Sequence, residues 1–155
     1  MADIISFTEA YSALVRSWVD SKRTYRQLGG RGDWPPSDEL ITGRQTNSMD
    51  AYVLVADRQP VAYAELWPQP PQMALEVRWL LVDPAKRDRG FGSSMLEMLW
   101  HRASNRRGIA RLVITLEGEN REALGCYLRA GFSISGTTGS PGLTLDRVVA
   151  RTEKL

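Results

Sequence analysis

Cysteine and histidine are almost absent from this chain, since each occurs once in 155 residues, as Cys126 and His101. A single cysteine excludes an internal disulfide. We expect Cys126 to be a buried structural thiol and His101 to lie on the surface near the end of a helix. No cluster of cysteine, histidine and carboxylate residues has the spacing of a metal site, so the sequence predicts no metal.

An excess of charge of one sign is also absent. Lysine and arginine number 20 against 18 aspartate and glutamate, which gives a formal net charge of +2. Such a balance creates no strong overall field, so neither nucleic acid nor a membrane surface is an expected partner. The local basic run from 102 to 111 is interpreted as a solvated helix face and loop.

Long apolar runs are missing as well. No stretch approaches the length that spans a bilayer, and the start Met1-Ala2-Asp3 lacks the charged and apolar regions of a signal peptide. We therefore expect a cytoplasmic protein. A chain of this length buries roughly two thirds of the surface that it exposes when unfolded, so we expect a single domain over residues 1–155.

The most informative segment that is present is an apolar strand followed by a loop of glycines and arginines that opens a helix. The loop reads Arg87-Asp88-Arg89-Gly90-Phe91-Gly92-Ser93. Glycines let backbone N–H groups approach phosphate oxygens, arginines supply charge-assisted hydrogen bonds, and a helix N-terminus favours negative charge. No Lys-Ser or Lys-Thr follows as in a P-loop, and Met95 replaces the third glycine of a dinucleotide fingerprint. The loop predicts a pyrophosphate site, and general recognition of adenosine phosphates stays open.

A second motif follows about thirty residues downstream, at Asn120, Ala123, Tyr127 and Gly131-Phe132. Its spacing suits a short helix that carries Ala123 and Tyr127 on one face and ends at Gly131. Arg-x-x-Gly-x-Gly after an apolar strand, with Asn-x-x-Ala-x-x-x-Tyr-x-x-x-Gly-Phe behind it, resembles the GNAT superfamily of acyl-CoA-dependent N-acyltransferases. The resemblance is specific from Leu75 to Phe132, and the N-terminal third matches only loosely.

The hydrophobic periodicity predicts an α/β domain of this type, with a mixed, mostly antiparallel sheet flanked by helices. The expected strands are Ile4–Phe7, Ala51–Ala56, Val61–Trp67, Met73–Val82 and Arg111–Leu116, with a closing hairpin from Phe132 to Arg151 across Gly136–Gly142. The expected helices are one capped by Thr8 with Tyr11, Leu14, Val15 and Trp18 on its apolar face, a short one from Ser37 or Asp38 towards Thr42, Ser93–Asn105 and Arg121–Ala130. Loops are expected at Gly29–Pro36 and Pro68–Gln72. Edge strands in the closing hairpin leave both a homodimer and a monomer open.

The resemblance implies acetyl-CoA as cofactor and a pair of strands that splay apart around its pantetheine arm. Backbone groups of Leu80, Leu81 and Val82 would then pair with the arm. The diphosphate would lie on the loop from Arg87 to Ser93. Asn120 would hold the cofactor arm or the acceptor, and it is also the expected N-cap of the helix that begins at Arg121.

Transfer of an acetyl group to an amine needs a base for the ammonium and an acid for the leaving thiolate. The resemblance implies direct attack in a ternary complex and assigns the acid, beside the thioester sulfur, to Tyr127. We favour Glu76 as base, because family members carry a glutamate at this offset. Strict alternation would also place it on one face with Arg78, Leu80 and Val82. Glu65 is the rival base.

The acceptor is less defined. Alternation places Val61, Tyr63, Glu65 and Trp67 on one face of a strand, and with Trp34 they predict an aromatic, partly acidic pocket for a small amine. Thr115 occupies a position where family members that acetylate protein N-termini often carry glutamate, which disfavours a protein or peptide acceptor without removing it. A non-catalytic acyl-CoA sensor is a further alternative.

Overall fold

The computed structural model describes residues 2–117, 120–139 and 142–149. These residues form seven strands of one sheet and four α-helices. The strands are β1 Ala2–Ser6, β2 Asp50–Ala56, β3 Gln59–Gln69, β4 Ala74–Val82, β5 Arg111–Glu117, β6 Ser133–Gly139 and β7 Gly142–Val148. The helices are α1 Ser12–Trp18, α2 Lys22–Gln27, α3 Phe91–Ser104 and α4 Arg121–Arg129. No described helix is both long and apolar enough to cross a membrane.

The sheet has the strand order β1-β2-β3-β4-β5-β7-β6. Its strand pairs are antiparallel except for β4 and β5, which run parallel. That parallel pairing covers only Ala74–Val77 against Arg111–Ile114. Beyond these residues β4 continues along β3 and β5 continues along β7, so the two strands part. The mixed, mostly antiparallel sheet of the sequence analysis is confirmed.

Two apolar layers cover the faces of the sheet. One contains the buried side of α3, with Met95, Leu96 and Leu99, and α4 packs against its margin. The other is built around α1 and α2, with Val15, Trp18 and Tyr25 as members. We call these the α3 face and the α2 face. The sheet is therefore a platform with a different helix pair on each side.

Bulges in the sheet break the simple alternation of side chains. In β4 the register shifts opposite Tyr63–Glu65, and Trp79 adopts a left-handed φ of 55°. Leu75 and Val77 lie on the α3 face, but Trp79 and Leu81 lie on the α2 face and Leu80 and Val82 return to the α3 face. The expectation that Glu76 shares a face with Leu80 and Val82 is therefore wrong, because the bulge exchanges the two faces.

A second bulge lies between Leu54 and Val55 on β2, opposite Pro60–Ala62. Val61 faces the α3 layer, whereas Tyr63 belongs to the α2 layer. The predicted common face of Val61 and Tyr63 is therefore also wrong, for the same reason.

The strongly periodic elements occur where the sequence predicts them, and two weakly patterned segments differ. The helix expected after Thr8 begins as a 3₁₀ turn at Glu9–Tyr11, and Thr8 makes no side-chain cap. Residues 38–41 form turns and Thr42–Arg44 a 3₁₀ turn, in place of a short helix. Helix α2 is an element that the sequence analysis did not predict. The tip of the closing hairpin, at 140–141, and its end beyond 149 lie outside the described residues.

Candidate active site

A cleft of about 1780 Å³ opens where β4 and β5 part. Its walls come from β4, the start of α3, α4, and the segment from the α1–α2 turn to the loop after α2. Twelve residues of the predicted site line it: Glu76, Leu80, Leu81, Val82, Arg87, Asp88, Gly90, Phe91, Gly92, Ser93, Asn120 and Tyr127. The chain thus brings both sequence motifs to one cavity.

The loop that begins α3 has the geometry of an anion site. Gly90 is the N-cap with a φ of 80°, Asp88 also has a positive φ of 64°, and no side chain in the described part of the chain caps the helix. The first-turn N–H groups therefore have no partner within the helix, and the helix dipole adds to their positive potential. Arg87 forms an ion pair with Asp20 at 3.6 Å, which links the loop to the α1–α2 turn. Arg89 is exposed and does not line the cleft.

Gly92 has a different role from Gly90, because it allows a close contact between helices and not an unusual backbone conformation. Its φ is not in the left-handed region, but a Cβ there would lie 3.1 Å from Cys126 Sγ. Ser93 also meets Cys126, with its Oγ 3.5 Å from the carbonyl oxygen and from the thiol. Gly92 thus lies in close contact between α3 and α4, where a larger residue would press on the half-buried thiol of Cys126.

The splayed strands provide a backbone edge inside the cleft. From Arg78 to Val82, β4 pairs with β3 on one side, and on the other side it pairs with no strand of the described residues. Backbone groups of this stretch that point towards β5 are therefore open to an added extended chain. Leu80, Leu81 and Val82 all line the cleft there.

Helix α4 and its N-cap contribute Tyr127 and Asn120 to the lining of the cleft. Asn120 is the N-cap, and its Oδ1 accepts a hydrogen bond from the Ala123 N–H at 3.1 Å. Burial raises the pKa of the Tyr127 phenol, and the neighbouring Cys126 adds a smaller effect in the same direction. Tyr127 therefore stays protonated at neutral pH. Its hydroxyl meets no hydrogen-bond partner among the described residues, which leaves it as a proton donor in the cleft.

Glu76 is a half-buried carboxylate at the edge of the cleft. Its side chain is 22% exposed, and its Oε1 accepts a hydrogen bond from Arg78 Nε. Arg78 in turn lies over the ring of Trp67, 4.8 Å from the ring centroid. Glu76 faces Trp67 across β3 and β4 and therefore belongs to the α2 face.

Glu65, the rival carboxylate, is the centre of a closed buried network. Its side chain is 0% exposed, and Arg44 Nε and Nη2 donate to its two oxygens at 2.7 Å. The hydroxyl of Tyr63 donates to Oε2 at 2.7 Å, and Trp67 Nε1 donates to Oε1 at 2.9 Å. Gln45 Nε2 then donates to the Tyr63 oxygen at 2.9 Å. With four donors around one carboxylate, Glu65 is satisfied inside the fold.

The predicted acceptor residues do not line the cleft. Tyr63 and Glu65 are fully buried, and Trp67 supports Arg78 from behind. Trp34 packs on Tyr25, with ring centroids 5.9 Å apart. The prediction that these four side chains form an aromatic, acidic pocket is therefore wrong for this cleft, since none of them lines it.

The wall of the cleft formed by α2 and its following loop contains residues that sequence reasoning missed. Arg23 and Arg26 on α2, and Arg31 in the loop that follows, line it. The segment from 22 to 27 has too few apolar residues for a helical period. Ser21 was the available signal, because its side chain caps α2 by accepting from the Thr24 N–H at 3.0 Å.

Comparison with known proteins agrees with this geometry. A family model described as the acetyltransferase (GNAT) family matches residues 11–132. Curated protein sequences give no significant match. Three of the similar solved structures are an aminoglycoside acetyltransferase in complex with coenzyme A, a spermidine N-acetyltransferase from Vibrio cholerae in complex with coenzyme A and spermine, and an acetyltransferase from Thermus thermophilus.

The structural matches extend over nearly the whole chain at low identity. The aminoglycoside enzyme has a TM-score of 0.76 and 18% identity, covering 96% of this chain and 95% of its own. The Vibrio cholerae enzyme has a TM-score of 0.79 and 10% identity, with 96% and 95% covered. The Thermus thermophilus protein has a TM-score of 0.74 and 21% identity, with 96% and 97% covered. The fold is that of these proteins, and with its family model spanning both motifs, the chain belongs to the GNAT family of acetyltransferases.

Proposed function

We propose that this acetyltransferase moves the acetyl group of acetyl-CoA to the primary amine of a small molecule. The observation that carries the proposal is the union of three features in one cleft: an uncapped helix N-terminus, an unpaired backbone edge on β4 and the protonated Tyr127. A diphosphate, an amide-bearing arm and a leaving thiolate each need one of these features.

Each part of the cofactor has a complementary set of residues. The N–H groups from Gly90 to Ser93, with Arg87, would hold the diphosphate. The open edge of Leu80–Val82 would pair with the amides of the pantetheine arm. Acetyl-CoA supplies the thioester, so transfer forms the C–N bond of an amide, breaks the C–S bond and releases the thiol of CoA.

Two side chains would manage the protons. An alkyl ammonium with a pKa of ~10.4 is about one part in a thousand free amine at neutral pH, so a base is needed. Glu76 fits that role, because its carboxylate lies in the cleft and only its Oε1 is held by Arg78. Tyr127 would give its proton to the departing thiolate. Glu65 does not fit as base, since it is fully buried and its oxygens are already satisfied.

The experiment that tests the proposal is release of free thiol from acetyl-CoA in the presence of amines. The panel contains monoamines, diamines, amino acids and a peptide with a free N-terminus. We expect amine-dependent release with at least one small molecule and formation of its N-acetyl product by mass spectrometry. The peptide arm matters because a similar solved structure is a ribosomal-protein α-N-acetyltransferase with coenzyme A, at 18% identity.

Two results would contradict the proposal. Acetylation of the peptide alone would move the acceptor class from small molecules to proteins. Tight binding of CoA by calorimetry, without thiol release for any amine, would instead favour a non-catalytic acyl-CoA sensor.

A further inference from the structure

One wall of the cleft is basic, although the whole chain is nearly neutral. Arg23, Arg26 and Arg31 line it from α2 and its loop, and Arg78 lines it from β4. Two carboxylates line the cleft beside them: Glu76, which pairs with Arg78, and Asp20, which pairs with Arg87. Glu76 and Arg78 belong to the α2 face, whereas the start of α3 and α4 stand on the other face. The basic wall begins next to the α1–α2 turn, where Asp20 pairs with Arg87 of the predicted diphosphate loop, and it extends from there along α2 to Arg31 and across to Arg78.

The loop that presents Arg31 is tied into the fold. Arg26 donates to the carbonyl oxygens of Gly30 at 2.9 Å and Gly32 at 2.7 Å. The Gly30 N–H bonds to the Tyr25 carbonyl at 2.8 Å, and the Tyr25 hydroxyl donates to the Arg31 carbonyl. A Cβ on Gly30 would lie 2.3 Å from the Tyr25 ring, so only glycine fits there. The backbone of Arg31 is therefore held in place by side chains of α2.

Most of the guanidinium groups on this wall have N–H donors without a hydrogen-bond acceptor among the described residues. Within the described part of the chain, the guanidinium groups of Arg23 and Arg31 form no ion pair or hydrogen bond, and both are exposed. Arg78 is 39% exposed and uses only its Nε on Glu76, while Trp67 supports it from behind. Arginine presents its donors in a planar fork that matches carboxylate and phosphate oxygens.

We infer that the acceptor amine carries an anionic oxygen group, a carboxylate or a phosphate, and that Arg23, Arg31 and Arg78 receive it. The inference rests on the proposed function and narrows its substrate class. A polycationic amine would meet like charge on this wall, whereas an amine with its own carboxylate or phosphate would be steered to it and anchored there. Glu76, held at the same wall by Arg78, is then beside the amine that it would deprotonate.

The test compares matched amines that differ in the anionic group. The pairs are tyrosine with tyramine, 4-aminobutanoate with butylamine, and O-phosphoethanolamine with ethanolamine, all with acetyl-CoA. We expect kcat/KM to be at least about tenfold higher for the anionic member of at least one pair, since each charge-assisted contact is worth about that factor. The first two pairs report on a carboxylate and the third on a phosphate.

The variant for this test is Arg23→Gln combined with Arg31→Gln, two exposed substitutions that leave the Arg26 bonds intact. It should lower kcat/KM for the anionic amine at least tenfold more than for its partner, with little change in KM for acetyl-CoA. Arg107→Gln is the matched control, because Arg107 is exposed and outside the cleft. We expect it to behave like the parent.

Three outcomes would overturn the inference while leaving the proposed function intact. One is equal or better turnover of the member without the anionic group in every pair. The second is an equal loss for both members in the double variant, and the third is a raised KM for acetyl-CoA, which would assign the arginines to the cofactor. If no amine is turned over, the proposed function fails, and binding measured by calorimetry on CoA-loaded protein then decides the inference about the anionic group. Tighter binding of N-acetyltyrosine than of N-acetyltyramine would support that inference, and equal binding would refute it.

Discussion

Burial decides what Tyr127 can do with its proton. Removal from water raises the pKa of its phenol, and the nearby Cys126 acts in the same direction. A phenol with a raised pKa holds its proton through neutral and mildly alkaline pH. Tyr127 is therefore suited to give a proton and not to take one, and the proposed base is the carboxylate of Glu76 on the other face of the sheet.

Removal of the Tyr127 hydroxyl tests this role. We expect Tyr127→Phe to lower kcat on the order of 100-fold, the usual contribution of a positioned general acid. The Kd for acetyl-CoA by calorimetry should change less than about twofold, because the ring and its packing remain. Tyr52→Phe is the control, since this residue is buried in the α3 layer outside the cleft. An unchanged kcat in Tyr127→Phe would remove this tyrosine from the mechanism.

The position of a single residue is predictable where it follows from local spacing in the sequence. It is not predictable where it depends on how deeply the side chain is buried. Asn120 and Tyr127 have the spacing of one short helix, and both do line the cleft. The assignment of Glu65 to an acceptor pocket fails because alternation indicates a face but not how far a side chain lies below the surface. Its partner Arg44 is 21 residues away, across loops with no periodic pattern, so nothing in the sequence indicates the pair.

At the scale of elements, the bulge in β4 is the feature on which the site depends. Trp79 has a φ of 55°, a conformation that costs on the order of 1–3 kcal/mol for such a residue. Two contacts hold it: the Arg44 guanidinium lies 4.0 Å from its ring centroid, and the Tyr25 ring meets it edge-on at 6.3 Å. Glu65 fixes Arg44 in turn. The buried network thus supports the bulged strand that turns its open edge towards the cleft.

Breaking this network should cost far more stability than breaking a surface pair. Arg44→Gln leaves the buried carboxylate of Glu65 without its counter-charge, so we expect a loss of about 3–5 kcal/mol in the free energy of unfolding. Arg106→Gln breaks the exposed pair with Asp50, at 3.2 Å, and should cost about 0–1 kcal/mol. Urea unfolding of both variants and the parent measures the difference. Equal midpoints for the two variants would show that the Glu65 network does not hold the fold.

Elements are predictable in proportion to their hydrophobic period. α3 and α4 and the strands of the sheet lie within a few residues of their expected bounds, because their apolar faces are long enough to specify a period. The short helix expected from Ser37 is replaced by turns, since so few residues form a helix only when an apolar face packs them. The bulges at Trp79 and near Val61 leave no mark on the alternation, so the exchange of faces was not predictable.

At the scale of the whole molecule, the sheet consists of two halves that are joined by one short strand pairing. The strands β1–β4 and β5–β7 are joined by the parallel pairing of Ala74–Val77 with Arg111–Ile114, and α3 packs across the junction. Beyond the junction the cleft separates the two halves. The edge strand β6 carries Ile134 at 53% exposure, and association of two chains through that edge stays a prediction for sedimentation measurements.

A ligand that binds in the cleft between β4 and β5 should therefore contact both halves of the sheet and stabilise the fold. Binding to the native state adds about 2.7 kcal/mol at a hundredfold excess over Kd, which for a chain of this size raises Tm by roughly 5–10 °C. We expect that shift with acetyl-CoA and CoA, and a clearly smaller one with ADP, ATP or NAD at the same concentration. The nucleotides can reach the helix N-terminus but lack the arm that pairs with β4, so they leave the two halves unbridged. Tyr127→Phe should keep the full CoA shift, because the role proposed for the hydroxyl is protonation of the leaving thiolate and not binding of CoA. Equal shifts with ATP or NAD would mean that the phosphate loop alone recognises the ligand and that the open edge of Leu80–Val82 contributes nothing.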